Sequence, residues 1–214
     1  MQNSVKIAII GLGNIGKAVA ENLNKSGRPF IVVGRDIAQT NEIAKQWQSA
    51  TVKDIATALK EADIILPAIY FQPLGEFIEQ YANELKGKTL IDPSNPIALL
   101  EDGGLKKIIG EKESAGEILS AKLPQGAKLV KAFASLSANS LINAAYQQPE
   151  RAVLFYADND GQNAEVEQLI KDSGFEPLHI GGLDSAIRME VFGDLNEFGA
   201  LGKTVTLAEA KAKI

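Results

Sequence analysis

The chain has 214 residues, 45% of them hydrophobic and 23% charged, the balance of an ordinary globular protein with room for one sizeable domain, alone or with an appendage. A formal charge of −5 argues against a broad nucleic-acid surface, and the absence of cysteine excludes disulfides, thiolate metal ligands and thiol nucleophiles. No apolar run approaches the ~20 residues that span a bilayer, and Met1-Gln2-Asn3-Ser4 leads directly into the first predicted strand with no room for a signal peptide, so a soluble, cytoplasmic protein is the simplest expectation.

The first predicted element is a strand, Ile7–Ile10, that ends abruptly in Gly11-Leu12-Gly13-Asn14-Ile15-Gly16. A helix-forming stretch, Lys17–Ser26, follows at once. This strand–turn–helix context turns G-x-G-x-x-G into a dinucleotide fingerprint. Gly11 permits the tight turn, Gly13 lets backbone approach a pyrophosphate, and Gly16 lets the helix pack closely on the sheet. The helix N-terminus offers free N–H groups and a positive dipole end to phosphate.

Further along, residues 29–33 read as a strand ended by Gly34, Ala38–Gln48 as a helix, and Asp54–Glu61 as a short helix. Ile64–Leu66 is a buried strand closed by Pro67. Leu74–Leu85 carries Phe77, Ile78, Tyr81 and Leu85 on one helical face, and Thr89–Asp92 is a strand broken by Pro93 and Pro96. This alternation implies βαβ units and a parallel sheet covered on both faces. Residues 97–127 are less regular, with exposed loops at Glu101–Gly104 and Gly110–Glu113 and a helix from Ser114 to Leu123. Lys128–Phe133 is a further strand. Arg151–Ala157, Asn163–Ser173 and Phe175–Ile180 form a strand–helix–strand unit, and a last helix over Ser185–Leu201 carries Met189, Phe192, Leu195 and Phe198. The fold expected is α/β: a doubly wound Rossmann-type parallel sheet with a C-terminal strand–helix–strand–helix extension. It forms a single NAD(P)-binding domain over 4–214, with the core at 4–127 and the elaboration at 128–214.

The end of the second strand selects the cofactor. NAD enzymes place an acid there for the ribose hydroxyls. Here Gly34 leaves space for a 2′-phosphate, and Arg35 can pair with that phosphate in two-pronged fashion and stack on adenine. A solvated loop arginine is the plain alternative. Asp36 reads as the cap of the following helix. NADP(H) is therefore preferred over NAD(H). The other strand ends, Ala68-Ile69-Tyr70, Ser94-Asn95-Pro96 and Ala132-Phe133, should line the cofactor groove. Asn95 fits either a hydrogen bond to the nicotinamide ribose or a turn role. Tyr70 fits simple core or rim packing.

These residues resemble, across nearly the whole chain, the family of NADP oxidoreductases dependent on the deazaflavin coenzyme F-420, whose fold also serves as the cytosolic NADPH domain of some membrane metalloreductases. The matching pieces are K-I-A-I-I-G-x-G-N-I-G, V-G-R-D, I-D-P-S-N-P, K-L-V-K-A-F, S-G-F-E-P-L and G-G-L-D-S-A-I-R-M-E. The resemblance implies cofactor contacts at Gly11, Leu12, Gly13, Asn14, Ile15, Gly34, Arg35, Ala68, Ile69, Tyr70, Asn95, Ala132 and Phe133. It implies hydride transfer between NADPH and a flavin, deazaflavin or similar small-molecule acceptor. Two departures stand out. The glycine loop is one residue shorter than G-x-T-G-x-x-G, and Ala134-Ser135 replace the usual Asn-Thr.

Hydride transfer between stacked rings needs little acid–base help, which suits a chain without a catalytic constellation. No Tyr-x-x-x-Lys occurs, so short-chain dehydrogenase chemistry is unsupported. The lone His179 has no sequence partner and reads as structural, and Asp158, Asp160 and Asp172 read as solvated loop or helix-end charges rather than metal ligands. A methyltransferase would want an acid near Gly34. The rival reading is a non-catalytic NADP(H) sensor that regulates a partner. The last helix is expected to wall the second redox partner's pocket or to meet a homodimer partner, with plain core packing as the alternative.

Overall fold

The computed structural model describes residues 5–161 and 163–214. Met1–Ser4, and with them the expectation about a leader, lie outside the described residues, as does Gln162. In chain order the elements are β1 (Ile7–Ile10), α1 (Asn14–Lys25), β2 (Phe30–Val33), α2 (Ile37–Ala44), β3 (Ala50–Val52), α3 (Ile55–Glu61), β4 (Ile64–Pro67) and α4 (Phe71–Gln80). They continue with β5 (Thr89–Asp92), β6 (Ile97–Leu99), β7 (Leu105–Lys107), α5 (Ala115–Ser120), β8 (Lys128–Ala132) and α6 (Ala138–Asn143). The last are β9 (Val153–Asp158), α7 (Ala164–Asp172), β10 (Glu176–His179), a 3-10 segment (Leu183–Arg188) and α8 (Leu207–Lys211).

Eight strands form one sheet in the order β10-β9-β8-β5-β4-β1-β2-β3. The run β3-β2-β1-β4-β5-β8 is parallel throughout. This is the doubly wound dinucleotide-binding arrangement, with its switch point between β1 and β4. β9 joins β8 antiparallel, and β10 runs parallel to β9. Strand period explains the two layers. Ile7 and Ile9 enter one core with Val19 and Leu23 of α1 and Leu169 and Ile170 of α7. Ala8 and Ile10 enter the other with Leu59 of α3, Phe77 and Ile78 of α4, and Leu119 of α5. Side chains of successive strand residues point to opposite faces, so a continuous apolar run marks a strand buried on both. Among the described residues, no helix is long and apolar enough to cross a membrane.

Several elements depart from the sequence reading, α8 among them. β3 was absent from it because Ala50–Val52 is a three-residue, half-exposed edge strand, too short to show a strand period. α4 begins at Phe71 rather than Leu74, because Pro73 sits in the first turn, where a missing N–H costs nothing. Beyond Gln80 the chain continues as hydrogen-bonded turns. β6 and β7 pair as an antiparallel hairpin inside the segment expected to be irregular, with Glu101–Gly104 at its tip. α6 is a further missed helix, started by the Ser137 hydroxyl accepting from the Ser140 N–H.

The largest correction concerns the helix expected over Ser185–Leu201. The chain there is a 3-10 turn followed by tight turns. Phe192 has φ +73°, and the Leu195 N–H donates to the Arg188 carbonyl. A Cβ on Gly193 would fall 2.2 Å from the Arg188 carbonyl oxygen, and one on Gly199 1.9 Å from that of Gly193. The segment is coiled back on itself too closely for a helix, and its glycines permit that. Its apolar spacing is still used: Met189, Leu195 and Leu201 cover one face of β9 with Val205 and Ala210.

Candidate functional site

The glycine loop has the geometry its residue types require. Gly11 has φ +95°, its N–H donates to the Val33 carbonyl, and a Cβ there would sit 2.8 Å from the Ala68 oxygen. At Gly16 a Cβ would sit 2.0 Å from the Gly11 oxygen, so α1 lies almost on the loop. At Gly13 a Cβ would meet nothing within 4 Å. Gly13 is the N-cap of α1 and supplies no side-chain cap. The first helical N–H groups have no intrahelical acceptor, so this end is suited to an anion that approaches along the open side of Gly13. These residues therefore fit a pyrophosphate-bearing cofactor.

The loop opens into a cleft of about 320 Å³ at the carboxyl ends of the parallel strands. Of the predicted contacts, the cleft brings together Gly13, Asn14, Ile15, Ala68, Ile69, Tyr70, Asn95 and Phe133. Tyr70, at the start of α4, is 81% exposed and forms the rim. Phe133 is buried with φ +62°, a backbone conformation rare for a bulky side chain. Such an outlier persists only where surrounding contacts hold it, and here it aims strand β8 into the cleft.

Sequence reasoning missed much of the far wall. Ile97 and Leu105 come from the β6–β7 hairpin, and Ala134, Leu136 and Ser137 from the turn after β8. Val191 and Phe198 come from the coiled C-terminal segment, with Phe198 half exposed at the rim. The expectation that the Ser185–Leu201 segment walls a second pocket hinted at part of this. The pocket-wall expectation thus divides: Val191 and Phe198 line the cleft, Met189 is core, and Phe192 faces solvent.

A buried polar net fastens the floor. The Asn95 amide donates to the Ala134 carbonyl at 3.0 Å, and its oxygen accepts from the Val191 N–H at 2.7 Å. Asn196 donates to the carbonyls of Ala134 and Met189. Beneath them, Lys131 Nζ donates to Asp92 Oδ2 at 2.7 Å and to the Ser94 carbonyl at 2.5 Å. It lies 3.6 Å from Glu190 Oε1. Glu190 accepts from the N–H groups of Ala115 and Gly116, both at 3.0 Å, and from Ser114 Oγ. All three charged side chains are at most 1% exposed. The acid and lysine of I-D-P-S-N-P and V-K-A-F are therefore a buried pair. Ser94 lines the cleft with its hydroxyl buried and without a hydrogen-bond partner among the described residues, a group suited to a polar ligand atom.

Other predicted residues lie elsewhere. Ala132 is wholly buried in β8 opposite Tyr156 and does not line the cleft. Gly11 and Leu12 shape the loop behind it, and Leu12 packs on the first core. Gly34 and Arg35 follow β2, beside the loop. The space beside Gly34 is not open in the Cβ direction, because a Cβ would fall 2.1 Å from Thr40 Oγ1, which is folded back onto the Asp36 carbonyl. Arg35 is exposed, and Asp36 caps α2 by accepting from the Gln39 N–H at 2.8 Å. His179 lies outside the cleft, its ring against Tyr156 and its Nε2 3.9 Å from Asp158. Asp158 is not a solvated charge: it ends β9 at 3% exposure. Burial raises its carboxyl above the usual range, and His179 draws it partly back. Asp160 is an exposed loop acid paired with Lys128, and Asp172 ends α7 beside Arg28.

Sheet order, glycine loop and strand-end cleft define a Rossmann-type nucleotide-binding α/β protein. Residues 6–96 match the family "NADP oxidoreductase coenzyme F420-dependent", so the resemblance read from the motifs holds over that stretch. It is 28% identical over 185 residues to metalloreductase STEAP3 of Rattus norvegicus, covering 86% of this chain but only 36% of that protein. It is 23% identical over 193 residues to the F420-dependent NADP reductase of Methanothermobacter marburgensis, covering 85% of this chain and 86% of that enzyme. Among solved structures it resembles hypothetical protein SMa0349 from Sinorhizobium meliloti, with a TM-score of 0.82, 27% identity, and 96% and 97% of the two chains covered.

Proposed function

We propose that the protein is an NADPH-dependent oxidoreductase that passes hydride to a flat acceptor of the flavin or deazaflavin type. The observation that carries this is the cleft: one end is an open glycine turn at a helix N-terminus, the other an apolar wall of Ile97, Leu105, Val191 and Phe198. When bound, NADPH supplies the hydride from its nicotinamide ring.

The chain's own residues bind and orient. The N–H groups at the start of α1 receive the pyrophosphate. Arg35 pairs with the 2′-phosphate, and Asp36, engaged as a helix cap, is not available to the ribose in the manner of an NAD enzyme. Phe133 and Ser94 lie at the floor, where the nicotinamide end belongs. Asn95 acts through its two backbone partners, which hold the floor to the far wall. The apolar wall excludes water and stacks the acceptor ring, so distance and angle are the protein's contribution to rate.

The test is NADPH oxidation followed at 340 nm with FMN, FAD, a deazaflavin and a quinone in turn. Turnover is expected with at least one flat acceptor, and Phe198→Ala should raise that acceptor's KM several-fold while leaving NADPH affinity unchanged. Tight NADPH binding without turnover on any of them would replace this reading with the non-catalytic sensor.

A further inference from the structure

Asp92, Lys131 and Glu190 are charged groups that the hydride-transfer reading leaves without a role. They lie directly under the cleft. Ser94, whose carbonyl accepts from Lys131 Nζ, lines it, and so does Val191, the residue after Glu190. Two carboxylates face one ammonium, so the cluster carries a formal charge of −1. Asp92 takes a further N–H from Ser94 at 2.8 Å, and Glu190 takes those of Ala115 and Gly116. Backbone N–H donors hydrogen-bond a carboxylate without carrying a formal charge of their own, so they leave that count unchanged. Since all three side chains are out of water, the residual negative charge is poorly screened and acts upward through the floor.

We propose that this cluster biases the bound cofactor toward its oxidised form, with Glu190 supplying the uncompensated charge. This rests on the reading that the nicotinamide end lies over Ser94 and Phe133. Loss of hydride turns a neutral dihydronicotinamide ring into a cation, and the electron pair leaves with the hydride to the acceptor. A fixed negative charge beneath the ring favours the cation and so makes bound NADPH the stronger reductant. Glu190 is buried and does not line the cleft. It acts by charge at a distance, which separates it from the groups that line the cleft.

The experiment is calorimetric titration of the full chain with NADPH and with NADP+, comparing the wild type with Glu190→Gln. The ratio Kd(NADP+)/Kd(NADPH) should rise about tenfold in the variant, equal to ~30 mV in the potential of the bound two-electron couple. A role in packing alone would weaken both ligands together and leave the ratio unchanged, and that outcome in a folded variant overturns the proposal. If Glu190→Gln does not fold, Asp92→Asn removes the same unit of charge from the other side of Lys131 and must move the ratio in the same direction. If neither folds, the wild-type ratio decides: NADP+ must bind at least as tightly as NADPH. Binding of neither ligand to the wild type would instead remove the cofactor reading itself.

Discussion

The glycine-loop end of the cleft and its apolar end are built by different means. At the first, β1, the glycine loop and the start of α1 follow one another in the chain, and the ligand-facing surface is backbone. At the second, Asn95, Phe133, Val191 and Phe198 come from three segments spread over about a hundred residues, and polar side chains hold them together. The lesson is one of robustness. A surface made of N–H groups fails when a side chain blocks it, while the fold survives. A surface assembled from distant segments fails when its fasteners are lost, and the fold is weakened with it.

Four substitutions sharpen that contrast. Lys131→Met should have the largest effect, a loss of about 3–5 kcal/mol, because it leaves Asp92 and Glu190 buried without their cation. Urea unfolding measures it, and a loss below 1 kcal/mol would break the comparison at the apolar end. Gly13→Val should act the other way round. The space at Gly13 is open, so the variant should fold with near-normal stability, yet NADPH affinity should fall at least a hundredfold, about 2.7 kcal/mol. Circular dichroism with calorimetry separates the two, and normal affinity would mean the loop is not the phosphate site.

Arg35→Ala is the next in size. The wild type should prefer NADP(H) to NAD(H) at least tenfold, about 1.4 kcal/mol, and the variant should lose most of that preference. Equal affinities in the wild type would show that the end of β2 does not discriminate. The smallest effect is Asp158→Asn, at the end of β9 and outside the cleft. Burial raises this carboxyl's pKa in the folded state. The stability it contributes is therefore complete below the unfolded value near 4 and is lost as pH rises through the folded value. Asparagine should raise Tm by about 2 °C at pH 8, with the difference closing near pH 3.5. A lower Tm for the variant at pH 8 would show that the carboxylate's contacts, the Asp160 N–H among them, outweigh burial.

Much of the glycine-loop end was legible because its signals are local. The expectation for Asp36 as a cap rested on its place just before a helix, and the structure gives it that bond. The strand bounds Ile7–Ile10 and Thr89–Asp92 emerged as read, since buried parallel strands are short apolar runs between breakers. The coiled segment after Arg188 misled because Met189, Leu195 and Phe198 fall at helical spacing, and apolar spacing records burial rather than backbone path. The glycines at 193 and 199 were the overlooked signal.

By itself the sequence determined the doubly wound core, the glycine turn between β1 and α1 and the resemblance to NADP oxidoreductases, because each rests on residues adjacent in the chain whose backbone conformations follow from their chemistry. Tertiary structure alone decided that Lys131 pairs with Asp92 and stands beside Glu190, that the space at Gly34 belongs to Thr40, and that Val191 and Phe198 close the cleft. Those contacts join residues up to about a hundred positions apart, and no local preference of either partner carries information about where the other will arrive.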